Sequence, residues 1–125
     1  MDEPRPLTVE DRVVAALQAH RFHVTEEAQL HEAIGRVLTM AGLAPEHEAK
    51  IGPRDRIDFL IDDVGLEVKL GGTNAHIAEQ LTRYASSTKV RTLLLLTTRM
   101  RYQVFDGLTL HGKRVRVVRL VGGFL

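Results

Sequence analysis

The chain has 125 residues, close to the commonest size of a single domain, so a second independent domain is not expected. Apolar residues make up 44% of the sequence, and no apolar stretch reaches the roughly 20 residues that span a bilayer. Cysteine is absent, which excludes disulfides and thiolate chemistry, and the N-terminus lacks the features of a secretory signal. The sequence therefore predicts a cytoplasmic protein without membrane association, with a flexible N-terminus over residues 1–7 and one domain over residues 8–125.

The charges are distributed unevenly, although the formal net charge is only +1. Residues 1–63 hold 7 Lys and Arg against 13 Asp and Glu, whereas residues 64–125 hold 10 against 3. A basic half suits a phosphate backbone and a local acidic cluster suits a cation, which favours an enzyme acting on nucleic acid. Uneven scatter over a solvated surface explains the same counts equally well.

Two helices are predicted in the first third of the chain. Thr8 is a candidate N-cap with Asp11 as the capping-box acid, and the first helix is expected to end near His20. Thr25 is a candidate cap for a second helix, whose apolar residues recur at helical spacing until Gly42 ends it.

After Pro53 the apolar residues alternate, which predicts two strands, 56–61 and 65–70, joined as a β-hairpin through Asp63 and Val64. The other expected elements are a weak strand over 48–51, a helix from Thr73 or Asn74 to about Ser86, and strands that begin at Val90 and cover 102–105 and 114–120. This order predicts an α/β domain with a mixed central sheet flanked by helices.

With a two-residue loop at Asp63 and Val64, Leu60 faces Glu67 and Asp58 faces Lys69. One face of the hairpin is then entirely apolar: Ile57, Phe59, Ile61, Leu66, Val68 and Leu70. The opposite face carries the polar residues: Arg56, Asp58, Glu67 and Lys69, together with Leu60. A one-residue shift with a bulge at Gly65 is rejected, because it would bury Asp58 among aliphatic side chains.

Asp58 and Glu67 are diagonal neighbours in this register, with Cβ atoms roughly 7–8 Å apart. Two carboxylates at that separation can share a Mg²⁺ ion. Lys69 projects from the same face, where an ammonium can hold a water or offset charge in a phosphoryl transition state. The alternative is a solvated structural face, because such a hairpin also shows polar residues outward.

The third predicted helix carries Gln80 and Tyr84 four residues apart, hence on one face. The amide can steady Lys69 or a nucleophile, and the phenol can reach a phosphate or a base; a buried Tyr beside an exposed Gln is the plainer alternative. The basic residues expected to contact nucleic acid are Arg56, Arg83, Arg99, Arg114 and Arg116.

Asp58, the triplet Glu67-Val68-Lys69 and the later Gln80 and Tyr84 resemble the PD-(D/E)XK nuclease superfamily, and the helix resembles the QxxxY motif of its RecB-like branch. The resemblance covers roughly residues 25–100. Ile57, rather than Pro, precedes Asp58, which leaves the carboxylate available.

The resemblance implies a three-layer α/β/α restriction-endonuclease-like core with an extra N-terminal helix, and Mg²⁺-dependent hydrolysis of DNA, with Mn²⁺ as a substitute. Asp58, Glu67 and the Val68 carbonyl would hold the metal, and Lys69 would orient the attacking water. The superfamily often adds a Glu from an early helix. Glu27 is the preferred candidate because it shares the apolar helix face; Glu26, Glu32 and Glu48 stay open.

A second class of function stays open, in which the same fold binds DNA or a partner protein without turnover. A homodimer that presents two sites is also compatible with the sequence. The form of DNA and the mode of cutting are not predicted.

Overall fold

The computed structural model describes residues 6–23 and 26–122, so residues 1–5 of the predicted flexible N-terminus lie outside the description. In chain order the elements are α1 (Val9–Gln18), β1 (Arg21–Phe22), α2 (Glu27–Met40), β2 (Glu46–Lys50), β3 (Arg56–Ile61), β4 (Val64–Val68), α3 (Asn74–Ala85), β5 (Thr92–Thr97), a 3₁₀ helix (Met100–Phe105), β6 (Thr109–Leu110), β7 (Lys113–Arg119) and β8 (Val121–Gly122). None of the helices in these described ranges has the length and apolar character needed to cross a bilayer.

Six strands form a mixed sheet in the order β2-β3-β4-β5-β7-β6. The pairs β2-β3, β3-β4 and β6-β7 are antiparallel, whereas β5 runs parallel to both β4 and β7. β1 and β8 form a separate short parallel pair that the sequence did not predict. The predicted α/β class with a mixed central sheet is confirmed.

Both faces of the sheet are covered by helices. On one face, α1 and α2 contribute Leu17 and Ile34 to a core that includes Phe59 and Leu94 of the sheet. On the other, α3 and the 3₁₀ helix pack against residues such as Leu93. β5 reads as a continuous apolar run because it is buried on both faces.

The helix caps agree with the sequence at two of the three positions. Thr8 and Asp11 form the predicted capping box of α1, and the Thr73 hydroxyl accepts a hydrogen bond from the amide of His76 at the start of α3. Glu26 occupies the N-cap position of α2 without a capping hydrogen bond, and the predicted cap Thr25 lies outside the described residues.

The strand predicted over 102–105 is wrong, because this segment is a 3₁₀ helix. Tyr102 and Phe105 are three residues apart, so one turn of a 3₁₀ helix buries both of them. Val104 between them is exposed, as the three-residue period requires. β6 and Gly112, at a φ of 73°, instead form the hairpin that leads into β7.

The hairpin loop also differs from the prediction, because its two residues are Asp62 and Asp63 rather than Asp63 and Val64. Ile61 pairs with Val64, and this register buries the Val64 side chain instead of leaving it in an exposed turn. Asp62 takes a φ of 53°, which a short polar side chain tolerates better than a β-branched one. The shift is two residues, which by itself leaves each side chain on its predicted face of the pleat and brings Asp58 closer to Glu67 than the predicted register does.

One side chain leaves the face that alternation assigns to it. Ile57, expected beside Phe59, packs in the second core with Ala49 and Leu93. The space comes from Gly65, because a Cβ built at that residue would lie 2.6 Å from Ile57 Cδ1.

Gly65→Ala should therefore destabilise the fold by about 1–3 kcal/mol, as the added methyl forces Ile57 to move within a packed core. Gly71→Ala is the matched control, because a Cβ there meets no atom within 4 Å. Urea unfolding of both variants measures the difference, and equal midpoints would contradict the packing argument.

Candidate active site

Asp58 and Glu67 lie next to each other where the ladder between β3 and β4 ends. The paired ladder runs from Ile61 and Val64 to Phe59 and Leu66. Beyond it, the Val68 amide donates to Asp58 Oδ2 at 2.7 Å, and the Asp58 amide donates to Glu67 Oε1 at 3.3 Å. Side-chain acceptors thus replace the ladder at this point, and the two acids that the sequence predicted to be neighbours are linked by hydrogen bonds.

Burial disfavours the state in which both of these acids are ionised. Glu67 is 4% exposed, and its burial together with the negative charge of Asp58 raises its pKa to about 8, against the opposing effect of Lys69. Burial also raises the pKa of Asp58, while the Val68 amide and His31 act in the other direction. The pair therefore retains a proton near neutral pH unless a cation compensates both charges.

Lys69 and Tyr84 converge on the same oxygen of Glu67. Lys69 Nζ lies 3.4 Å from Glu67 Oε2, and the Tyr84 hydroxyl lies 3.4 Å from that atom and 3.2 Å from the carbonyl oxygen of Arg56. Tyr84 is buried, and burial followed by the charge of Glu67 raises its pKa, so its hydroxyl stays protonated. The phenol thus orients Glu67, while the Arg56 side chain is exposed.

Gln80 precedes Tyr84 by one turn of α3. Its Oε1 atom is buried and has no hydrogen-bond partner among the described residues. Buried polar atoms are nearly always satisfied in folded proteins, so an unpaired one marks a position where an additional donor fits.

Helix α2 brings two side chains to the hairpin. Glu27 Oε1 accepts a hydrogen bond from the amide of Leu70 at 3.1 Å, next to Lys69 in the chain. His31 Nε2 lies 3.5 Å from Asp58 Oδ2. His31 is not among the residues predicted for the site; its signal in the sequence is the spacing of four residues from Glu27, which places both on one helix face.

The other upstream glutamates lie elsewhere. Glu26 is exposed at the N-cap of α2. Glu32 and Glu48 line, together with Asp58, a groove of about 700 Å³ between α2 and the edge of the sheet. Glu48 has a φ of 46° and lies between the paired residues His47 and Ala49 of β2, on the strand next to Asp58.

Two of the predicted DNA-contacting arginines are engaged in ion pairs. Arg83 Nε lies 3.1 Å from Asp55 Oδ1, and Arg116 Nη1 lies 2.7 Å from Glu10 Oε2 on α1. Arg114 is exposed on β7.

Arg99 reaches the segment that follows Lys69, because its Nε donates to the Leu70 carbonyl oxygen at 3.2 Å. Arg101 stacks over the ring of Tyr102, 4.8 Å from its centroid, and its Nη2 lies 3.5 Å from the Gly72 carbonyl oxygen. Arg99, Arg101, Met100 and Leu70 line a shallow cleft of about 470 Å³, the basic cleft hereafter.

The described residues contain no group of three or more His, Asp or Glu side chains that could by itself hold a metal ion. The oxygen donors that do meet are the carboxylates of Asp58 and Glu67, at the end of the strand that terminates in Val68.

Comparisons with family models, curated proteins and solved structures found no match for this chain.

Proposed function

We propose that this protein is a divalent-cation-dependent nuclease that hydrolyses phosphodiester bonds of DNA on a restriction-endonuclease-like core. The observation that carries the proposal is the contact between Asp58 and Glu67 in a mostly buried position, with Lys69 Nζ 3.4 Å from Glu67 Oε2. Burying two acids together destabilises the folded protein, and a purely structural hairpin gains nothing that would offset this cost. A cation between them, next to a substrate phosphate, accounts for the arrangement.

The donor set fits Mg²⁺ or Mn²⁺, both of which prefer carboxylate and carbonyl oxygens. Mg²⁺ is usually held by one or two protein carboxylates while water and substrate phosphate complete its shell, so a full protein cage is not required. Asp58, Glu67 and the Val68 carbonyl would hold it, with Glu27 close by at the Leu70 amide. When bound, the cation supplies charge neutralisation of the phosphate and a lower pKa for the attacking water.

Hydrolysis forms a bond between phosphorus and the oxygen of one water and breaks one ester P–O bond. One proton of that water ends on the released sugar hydroxyl, and the other dissociates from the new phosphate oxygen. Lys69 donates a hydrogen bond that orients the water and offsets charge gathering on the phosphate. Tyr84 and Lys69 fix Glu67, and Gln80 Oε1 is a free acceptor for a proton of the water.

The architecture supports the same proposal. A mixed sheet with helices on both faces presents the acids on a hairpin at its centre, and α1 is the extra N-terminal helix. The basic cleft adjoins the segment that follows Lys69, where a flanking phosphate of the DNA backbone meets Arg99 and Arg101.

Purified protein incubated with linear, circular, single-stranded and branched DNA should cleave at least one form in Mn²⁺ or Mg²⁺ and none in chelator. Asp58→Ala should abolish cleavage and keep the circular dichroism spectrum of a folded chain. Arg91→Ala is the matched control, because Arg91 pairs with Asp63 at the opposite end of the hairpin. Binding of DNA without metal-dependent cleavage would contradict the nuclease and favour a module that only binds.

A further inference from the structure

The groove between α2 and β2 opens directly onto the proposed catalytic acids, since Asp58 is part of its wall. Phe59 lies at its base, with the His47 ring 5.0 Å away in an edge-to-face arrangement and the His31 ring 6.1 Å away. The groove thus presents two imidazole rings, packed over the buried Phe59, beside the carboxylate that would face the scissile phosphate.

Gly35 of α2 sets how closely the helix approaches His47 of β2 across the groove. A Cβ built at this residue would lie 2.7 Å from Cε1 of His47 and 3.5 Å from Cε1 of Phe59. The missing side chain therefore lets the imidazole of His47 rest against the helix. The volume of about 700 Å³ is large enough for a nucleotide-sized group.

The charges on the wall argue against a second phosphate in this groove. The residues that line the groove include three acids, Glu32, Glu48 and Asp58. Besides the histidines, Arg36 is the basic residue in this lining. Rings with hydrogen-bond acceptors around them match a nucleobase, which has a flat apolar face and polar edges. The basic cleft supplies the site for backbone phosphate instead.

We infer that the groove is a nucleobase subsite, which holds the unpaired base of the nucleoside next to the scissile phosphate against the rings of His31 and His47. This inference rests on the proposed nuclease function. A base that enters the groove has left its stack, so the preferred substrate is single-stranded DNA or a frayed end. The duplex of the same sequence is cleaved more slowly.

The test begins by mapping the cleaved linkage in a single-stranded 12-mer with Mn²⁺. Each nucleoside flanking that linkage is then replaced in turn by an abasic tetrahydrofuran residue. One of the two replacements should lower kcat/KM about 10-fold in the unaltered protein, since stacking of one base contributes on that order. Metal-free binding of the 12-mers, measured by fluorescence anisotropy in chelator, gives a readout independent of cleavage.

Two variants remove the subsite without touching the acids. His47→Ala deletes an exposed ring, and Gly35→Ala displaces that ring through the close contact with the helix. In each variant kcat/KM should fall about 10-fold on the intact 12-mer. The abasic replacement should lower kcat/KM no further, because the same contact is already missing. His23→Ala, exposed and away from the groove, is the control and should keep the full abasic effect.

The outcomes separate the two proposals. Equal abasic effects in the unaltered protein and in His47→Ala, with metal-dependent cleavage intact, would overturn the subsite and leave the nuclease standing. An absence of cleavage would overturn the proposed function. The subsite would be overturned as well if, in the anisotropy measurement, the abasic replacement weakened binding equally in the unaltered protein and in His47→Ala, or in neither. Faster cleavage of the duplex than of the single strand also contradicts it.

Discussion

Glu67→Gln should abolish metal-dependent cleavage and at the same time stabilise the metal-free protein at pH 8. The amide keeps the shape of the side chain but cannot ionise, so the position loses the charge that a cation requires. A loss of activity of about 10³-fold or more is expected. Stabilisation follows because the buried position, 4% exposed and next to Asp58, disfavours a second negative charge.

The sign of the pH dependence comes from the raised pKa of Glu67. An unfolded chain releases this proton near the ordinary value of 4.5, whereas the folded protein keeps it until about pH 8. Between these values the folded state binds more protons, so the free energy of unfolding decreases as the pH rises. The favourable contribution is complete below pH 4.5 and is lost as the pH passes about 8.

Urea unfolding in chelator across pH 5 to 8 measures both effects. The unaltered protein should lose about 1–3 kcal/mol over this range and Glu67→Gln clearly less. Glu79→Gln makes the same chemical change on the exposed side of α3, and its stability should change with pH as that of the unaltered protein does. Parallel pH profiles for Glu67→Gln and the unaltered protein would show that the Glu67 carboxyl does not carry the raised pKa.

The hairpin shows what alternation can and cannot predict. Alternating apolar residues assigned Asp58, Glu67 and Lys69 to one face of the pleat, and a register error of two residues does not by itself change a face because the side-chain period is two. The register itself was settled by burial of Val64, a tertiary effect that no local pattern reveals. The hydrogen bonds that link the two acids therefore became visible only in the structure.

Contacts between elements distant in sequence were the part that could not be predicted. Tyr84 was expected to reach a phosphate or a base, with burial as the alternative, and the fold buries it on Glu67, 17 residues earlier. Arg116 looked available for phosphate, yet α1 places Glu10 2.7 Å from its guanidinium. His31 carried no motif of its own, and packing of α2 on the sheet brings it to Asp58. Sequence spacing gives the face of an element, whereas packing decides which faces meet.

Lys69→Met should slow cleavage by about 10²- to 10³-fold while cation binding persists, because the ammonium acts on the water and the phosphate rather than holding the metal. The loss is expected in kcat more than in KM, as the interaction strengthens when charge develops on the phosphate. Lys89→Met removes an exposed ammonium that bonds to the Lys50 carbonyl oxygen, and it should leave both constants unchanged.

The same substitution has a second, electrostatic consequence for the neighbouring carboxyl. Lys69 Nζ lies 3.4 Å from Glu67 Oε2 and opposes the rise in the pKa of that carboxyl. Without the ammonium, the pKa of Glu67 moves further above its value of about 8, so the pH-dependent loss of metal-free stability shifts to higher pH. Lys69→Arg keeps a cation and should retain the unaltered stability profile while recovering part of the activity. A Lys69→Met protein with unchanged kcat and an unchanged profile would remove Lys69 from the site.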